Sequence, residues 1–461
     1  MTGLTENEIV KIWRYQLLDG ERLVTEEGEP LQIIYPGWLN DDQGPDFKDA
    51  VILGGRGLIR GDVEVHVRSS SWSEHGHHLN AAYNRVILHV VMWHGAGALA
   101  LLQNGGQAPT LALSKYINIP LSQWSGLDCF PAGSNLSCVV SSLSPEALAG
   151  FLDVAGEKRF LMKVTSFQKD LARTEASQSL YQGIMSALGY SRNKLPFLEL
   201  ARRLPLCLLE SMTRDEITDA EWLIRRQALL LGTSGLLFRR ENGFGGEWTD
   251  ELVKLWASSP HTRARRSTER SHRSPEGSPR GAMSPDVWHL LRVRPNNSPL
   301  LRLVAMSYLL LRYRRKGLLE GLVGLVREAP VTHDGYKRLE AGLVVNVDGC
   351  AGYPGSISGS GAGRLTLLGR GRAADIIVNV LLPFTLAWSQ ANAQAELGKK
   401  ALELYNLIPR LPVNSVERHM TGQLGLSRGL VSSARRQQGL IHIYKNLCAL
   451  GRCERCHLSH P

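Results

Sequence analysis

Four short segments decide the fold: Gly44-Pro-Asp-Phe47, Gly61-Asp-Val-Glu-Val-His-Val-Arg68, Trp72-Ser-Glu-His-Gly-His-His78 and Val86-Ile-Leu-His-Val-Val91. Between Leu58 and Val67 the residues alternate with the period of a β-strand. Val63, Val65 and Val67 then share one face, and Asp62, Glu64 and His66 the other. Gly61 permits a bulge or a close backbone approach just before them. Pro45 fixes its own φ and biases Gly44 toward an extended conformation, so Asp46 is presented near a strand start. Val86 to Val91 reads as a second strand with one polar intrusion, His89.

Carboxylates and imidazoles this dense around two apolar runs predict a metal site built on a sheet. Asp46 and Glu64 would supply the oxygen donors that Mg²⁺ or Mn²⁺ requires. His66 is the third member of the predicted catalytic set, orienting or activating a bound water. The plainer alternative makes Asp46 a turn cap, Glu64 a solvent-facing strand residue and His66 an ordinary polar-face residue. His75 and His77 fall between the two strands, with Glu74 and His78. There they would line the mouth of the site, contact substrate phosphate or ligate a softer metal such as zinc.

The 461 residues suffice for two or three domains with substantial cores. A formal net charge of +10 favours an anionic partner, nucleic acid before a membrane surface. The seven cysteines form no dense disulfide framework. The opening residues lack the basic and apolar segments of a signal peptide, and the apolar run Leu300 to Leu311 is too short to span a bilayer. A cytoplasmic location without membrane association is the default expectation.

Residues 1–135 are predicted to form an α/β domain with a central mixed sheet, opened by a helix that Thr5 and Glu8 cap. From Ser144-Pro145 onward helical periods dominate, giving helical regions over 143–260 and 285–445. Between them, 261–284 is rich in Arg, Ser, Pro and Gly and reads as a flexible basic loop. Arg292 and Arg294, beside a Pro-Asn-Asn-Ser-Pro helix start, form a candidate anion site for substrate. The glycine-rich stretch from Gly352 lacks both a phosphate-loop lysine pattern and a preceding strand, which argues against a nucleotide-binding fold. Gln438-Gly439 is read as a bend in the backbone. In the tail, 446–461, Cys448, Cys453, Cys456 and either His457 or His460 have spacing compatible with a structural zinc.

Several of these segments also carry a resemblance. They are Asn40-Asp-Asp-Gln-Gly-Pro-Asp-Phe-Lys-Asp-Ala50, Gly61 to His66, Trp72 to His78 and Tyr83 to Val91. Gly189-Tyr190, Asn193, Arg292 to Asn296, Gln438-Gly439 and the terminal cysteines continue the match. Together they resemble a widespread bacterial family known as a domain of unknown function (DUF2851-like), over nearly the whole chain. That resemblance implies no established activity. A remoter one is to the PD-(D/E)xK nuclease superfamily, whose ligand pattern would fall on Asp46 and Glu64, with His66 in place of the superfamily's lysine. It implies a restriction-endonuclease-like core and metal-dependent phosphodiester hydrolysis, DNA being slightly preferred to RNA. The alternative is a nucleic-acid-binding or scaffold protein with a degenerate site.

Overall fold

The computed structural model describes residues 4–16, 18, 23–40, 44–55, 57–117, 144–190, 193–211, 217–238, 247–268, 281–290, 297–347, 365–427, 429–448 and 456. The chain divides into two compact units, Met1–Lys158 with Pro412–Pro461, and Arg159–Leu411.

The first unit is built on a seven-stranded mixed sheet. Its strands are β1 (Leu23–Val24), β2 (Pro30–Tyr35), β3 (Trp38–Leu39), β4 (Phe47–Gly54), β5 (Gly57–Arg68), β6 (Val86–Trp93) and, after a separate β7–β8 pair (Ala100–Leu101, Gln107–Ala108), β9 (Thr110–Ala112). The order is β1-β2-β4-β5-β6-β9, with β3 beside β4. Pairing is antiparallel from β1 to β5 and parallel from β5 through β6 to β9. Helix α1 (Glu6–Tyr15) begins where Glu8 Oε2 accepts the Thr5 backbone N–H at 2.7 Å. Its apolar stripe, Ile9, Ile12 and Trp13, packs with Phe47, Val63, Val65, Leu88 and Val90 in one core.

The parallel β5–β6 pair sets what happens on the other face. Parallel neighbours cannot be joined by a tight turn, so the chain must cross over the sheet. Residues 69–85 make that crossing as helix α2 (Ser71–Glu74) and two 3₁₀ turns, His77–Leu79 and Ala81–Tyr83. Trp72 anchors the crossing, donating from Nε1 to the Leu101 carbonyl at 2.8 Å. Trp72 also packs with Tyr83, Val86, Ala100 and Ala108. The face carrying Asp62, Glu64 and His66 is therefore covered, and their exposures are 1%, 5% and 1%. Alternation places these residues correctly on one face, but that face is interior and not solvated.

Residues 412–461 belong to this same unit. Within it the helices Ser415–Gln423 and Ala434–Asn446 contribute Met420, Leu440 and Tyr444 to a core shared with Tyr35, Val51, Leu148 and Leu152. Gly439 lies inside the second of these helices. A Cβ there would strike the Leu152 carbonyl, so the glycine permits a close helix approach.

The second unit is mostly helical, with Ala176–Leu188, Asp219–Thr233, Pro299–Arg312 and Leu318–Glu328 among its buried elements. The continuous run Arg370–Ala391 is long and apolar enough to cross a membrane, and 78% of its most apolar stretch is buried in the protein. Core helices share that composition. Within the basic stretch expected to be a loop, Pro260–Thr268 is helical; residues 269–280 lie outside those described.

Gly61 sits where β5 meets the end of the crossover, and Asp62 N–H donates to the Arg85 carbonyl at 2.8 Å. A Cβ at position 61 would stand 2.5 Å from that carbonyl oxygen and collide with Ile87 Cγ2. Gly61→Ala is therefore expected to destabilise the protein by about 1–3 kcal/mol, as overpacking does. Urea denaturation followed by circular dichroism measures this; an unchanged midpoint would show that β5 and the crossover are not held this closely.

Candidate metal centre

The crossover brings its histidines onto β5. His66 Nε2 lies 3.1 Å from His75 Nδ1 and 3.3 Å from His77 Nε2. All three ligand atoms fall within 4.8 Å of one another. A tetrahedral ion with metal–nitrogen bonds of about 2.0–2.1 Å separates its donors by about 3.3 Å, so the two shorter spacings already match. His66 and His77 are buried, whereas His75 is exposed and leaves the cluster accessible from solvent.

The protonation chemistry suits a ligand set. Burial and three neighbouring imidazoles push His66 down to about 2. Burial and nearby histidines hold His89 at about 3, and burial lowers His77. These rings stay neutral at physiological pH, the form that binds metal. His66 Nδ1 lies 2.9 Å from His89 Nε2. With the proton on His66 Nδ1 and donated to His89, the His66 Nε2 lone pair faces the cluster. This is the outer-shell arrangement that fixes a ligating imidazole's tautomer.

Asp46 and Glu64 are close together but do not form the expected ion clamp. Asp46 Oδ2 accepts the Val65 backbone N–H at 3.0 Å, while Asp46's own N–H donates to Glu64 Oε2 at 3.0 Å. The two residues brace the β3–β4 connection against β5. Burial raises both, Asp46 to about 7 with help from Glu64's charge, and Glu64 to about 8 despite the Asp46 N–H. A carboxyl that favours its proton is a weakened oxygen ligand for Mg²⁺ or Mn²⁺. The group of metal-compatible donors found among the described residues is His66, His75 and His77. That finding overturns the assignment of Asp46 and Glu64 as metal ligands with His66 as activator of the metal-bound water, and with it phosphodiester hydrolysis. Glu64 still borders the cluster, its Oε1 being 3.1 Å from His77 Nε2 and 3.5 Å from His66 Nε2.

Asp62 has a structural task. Its Oδ2 pairs with Lys48 Nζ at 3.0 Å, and its Oδ1 accepts Asp49 N–H at 3.1 Å. There the β4–β5 register shifts and Asp49 adopts a left-handed φ of 57°. Arg292, Arg294, Cys453 and His457 lie outside the described residues. Cys448 and Cys456 are buried in the core beside Tyr35 and Tyr444, and among the described residues no tail group of three donors supports the expected zinc site. In the sequence His89 is a polar intrusion in an apolar strand and, with His75 and His77, a candidate zinc ligand. Its partnership with His66 depends on the β5–β6 pairing, which places Glu64 opposite His89 and His66 opposite Val91.

Comparison with curated proteins and with solved structures gave no match in either case. The likeness to PD-(D/E)xK nucleases and their restriction-endonuclease-like core gains no support from these comparisons. A family model described as protein of unknown function (DUF2851) matches residues 6–411. The chain belongs to the DUF2851 family.

Proposed function

We propose that the first unit is a transition-metal centre whose ligands are His66, His75 and His77. The observation that carries this reading is the convergence of three imidazole nitrogens from a strand and its crossover. Imidazole donors suit zinc, iron, copper or nickel better than magnesium. Three protein ligands leave a tetrahedral ion with one open position, the pattern of reactive rather than purely structural sites. The bound ion would supply Lewis acidity at that position. Glu64, poised beside two of the ligands, would hold or release a proton there, and Asp46 would keep Glu64 oriented through its backbone N–H. His89 would fix the His66 tautomer.

His75 is exposed, so His75→Gln should leave the fold intact while removing one ligand. In Zn²⁺ and Co²⁺ titrations the substitution is expected to weaken binding at least tenfold, about 1.4 kcal/mol. Equal metal affinity in the two proteins would remove His75 from the centre.

Proton linkage gives a separate check on the metal-free protein. Folded Glu64 keeps its proton up to about 8 and Asp46 up to about 7, whereas their ordinary values are 4.5 and 3.8. The folded state thus binds more protons than the unfolded state across this interval, and stability falls as pH rises through it. The depressed histidines act in the opposite sense, but mainly below their ordinary value of 6.5. Between pH 6.5 and 8 the melting temperature in chelator should fall, and Glu64→Gln should flatten the decline. A parallel decline in the variant would place the titrating group elsewhere.

A further inference from the structure

The second unit holds a cationic cluster that the metal reading does not use. Tyr190 follows the helix Ala176–Leu188 with a left-handed φ of 53°. Its hydroxyl donates to Asn297 Oδ1 at 2.6 Å and accepts from Arg302 Nη2 at 3.2 Å. Arg302 donates as well to Asn297 Oδ1 and to the Leu367 carbonyl, each at 2.8 Å. Against the Tyr190 ring lies Arg372, its Cζ 3.1 Å from the ring centroid. Arg372 Nη1 reaches the Ala187 carbonyl at 3.3 Å and Asp375 Oδ2 at 3.2 Å.

Among the described residues the charges in this cluster do not balance. Asp375 is taken up by Arg372 and lies in the field of Lys163. Arg302 is only 4% exposed, and its acceptors described above are all neutral oxygens. Burying an ion without a counter-charge costs several kcal/mol, which an incoming anion would offset. The Nε atoms of both Arg302 and Arg372 are buried and have no acceptor among the described residues. Tyr190 is 36% exposed, which connects the cluster to solvent.

We propose that Arg302 and Arg372, arranged around Tyr190 and Asn297, form a binding site for an oxyanion of the phosphate class. Guanidinium groups match such ions through paired, charge-assisted hydrogen bonds. The formal charge of +10 draws anions toward the chain as a whole. Free phosphate and the phosphate of a nucleic-acid backbone offer the same oxygens. The site belongs to the second unit, and the proposal does not depend on the histidine centre of the first.

The test uses the full chain, with inorganic phosphate and a single-stranded DNA oligonucleotide as probes and chloride at matched ionic strength as reference. Phosphate is expected to raise the melting temperature above the chloride control. Arg372→Gln and Arg302→Lys, the second keeping the charge but removing Nε, should each weaken the effect at least fivefold in the phosphate concentration required. If only the oligonucleotide binds, and both variants weaken it at least fivefold, the site takes its phosphate from a nucleic-acid backbone. Absence of any response beyond chloride overturns the proposal, as does an equal response in folded variants, because the anion would then bind elsewhere.

Discussion

Everything at the candidate centre depends on β5 and β6 running parallel. Had they formed a hairpin, a few residues would have joined them and the face bearing Glu64 and His66 would lie open. Parallel pairing instead sends residues 69–85 across that face. Trp72 and Tyr83 exclude water from the crossing, and His75 and His77 come to rest against His66. The same burial keeps His66 and His77 neutral. Topology and protonation state thus share one cause.

This also explains why the oxygen-ligand picture gives way to a nitrogen one. A carboxylate becomes a hard metal ligand by remaining ionised, which requires water, cations or several donors around it. Asp46 and Glu64 each accept one backbone N–H from the other's segment, Glu64 has only neutral imidazoles beside it in addition, and there is little solvent, so both are shifted toward the protonated form. Imidazole responds to the same surroundings in the opposite direction and loses its proton. A dry pocket therefore weakens the acidic ligands and prepares the histidines.

Much of the first unit was legible in the chain. The alternation from Leu58 to Val67 identifies β5 and its faces, and the run from Val86 identifies β6. The crowding of His66, His75 and His77 marks the correct neighbourhood. What local pattern cannot supply is the environment of each face, because polar residues on a strand look alike whether they meet water or a covering segment. Nor does the Pro45-Asp46 turn reveal whether its carboxylate points to an ion or to the Val65 N–H. The return of residues 412–461 to the sheet-bearing unit rests on contacts between segments hundreds of positions apart. Arg302 and Tyr190 are 112 positions apart, and each alone reads as an ordinary residue near a helix end.

The most direct measurement is an anomalous-difference map from crystals of the full chain loaded with Zn²⁺. The account predicts one ion about 2.0–2.1 Å from His66 Nε2, His75 Nδ1 and His77 Nε2. An ion held between the Asp46 and Glu64 carboxylates, or none near the three imidazoles, would contradict it.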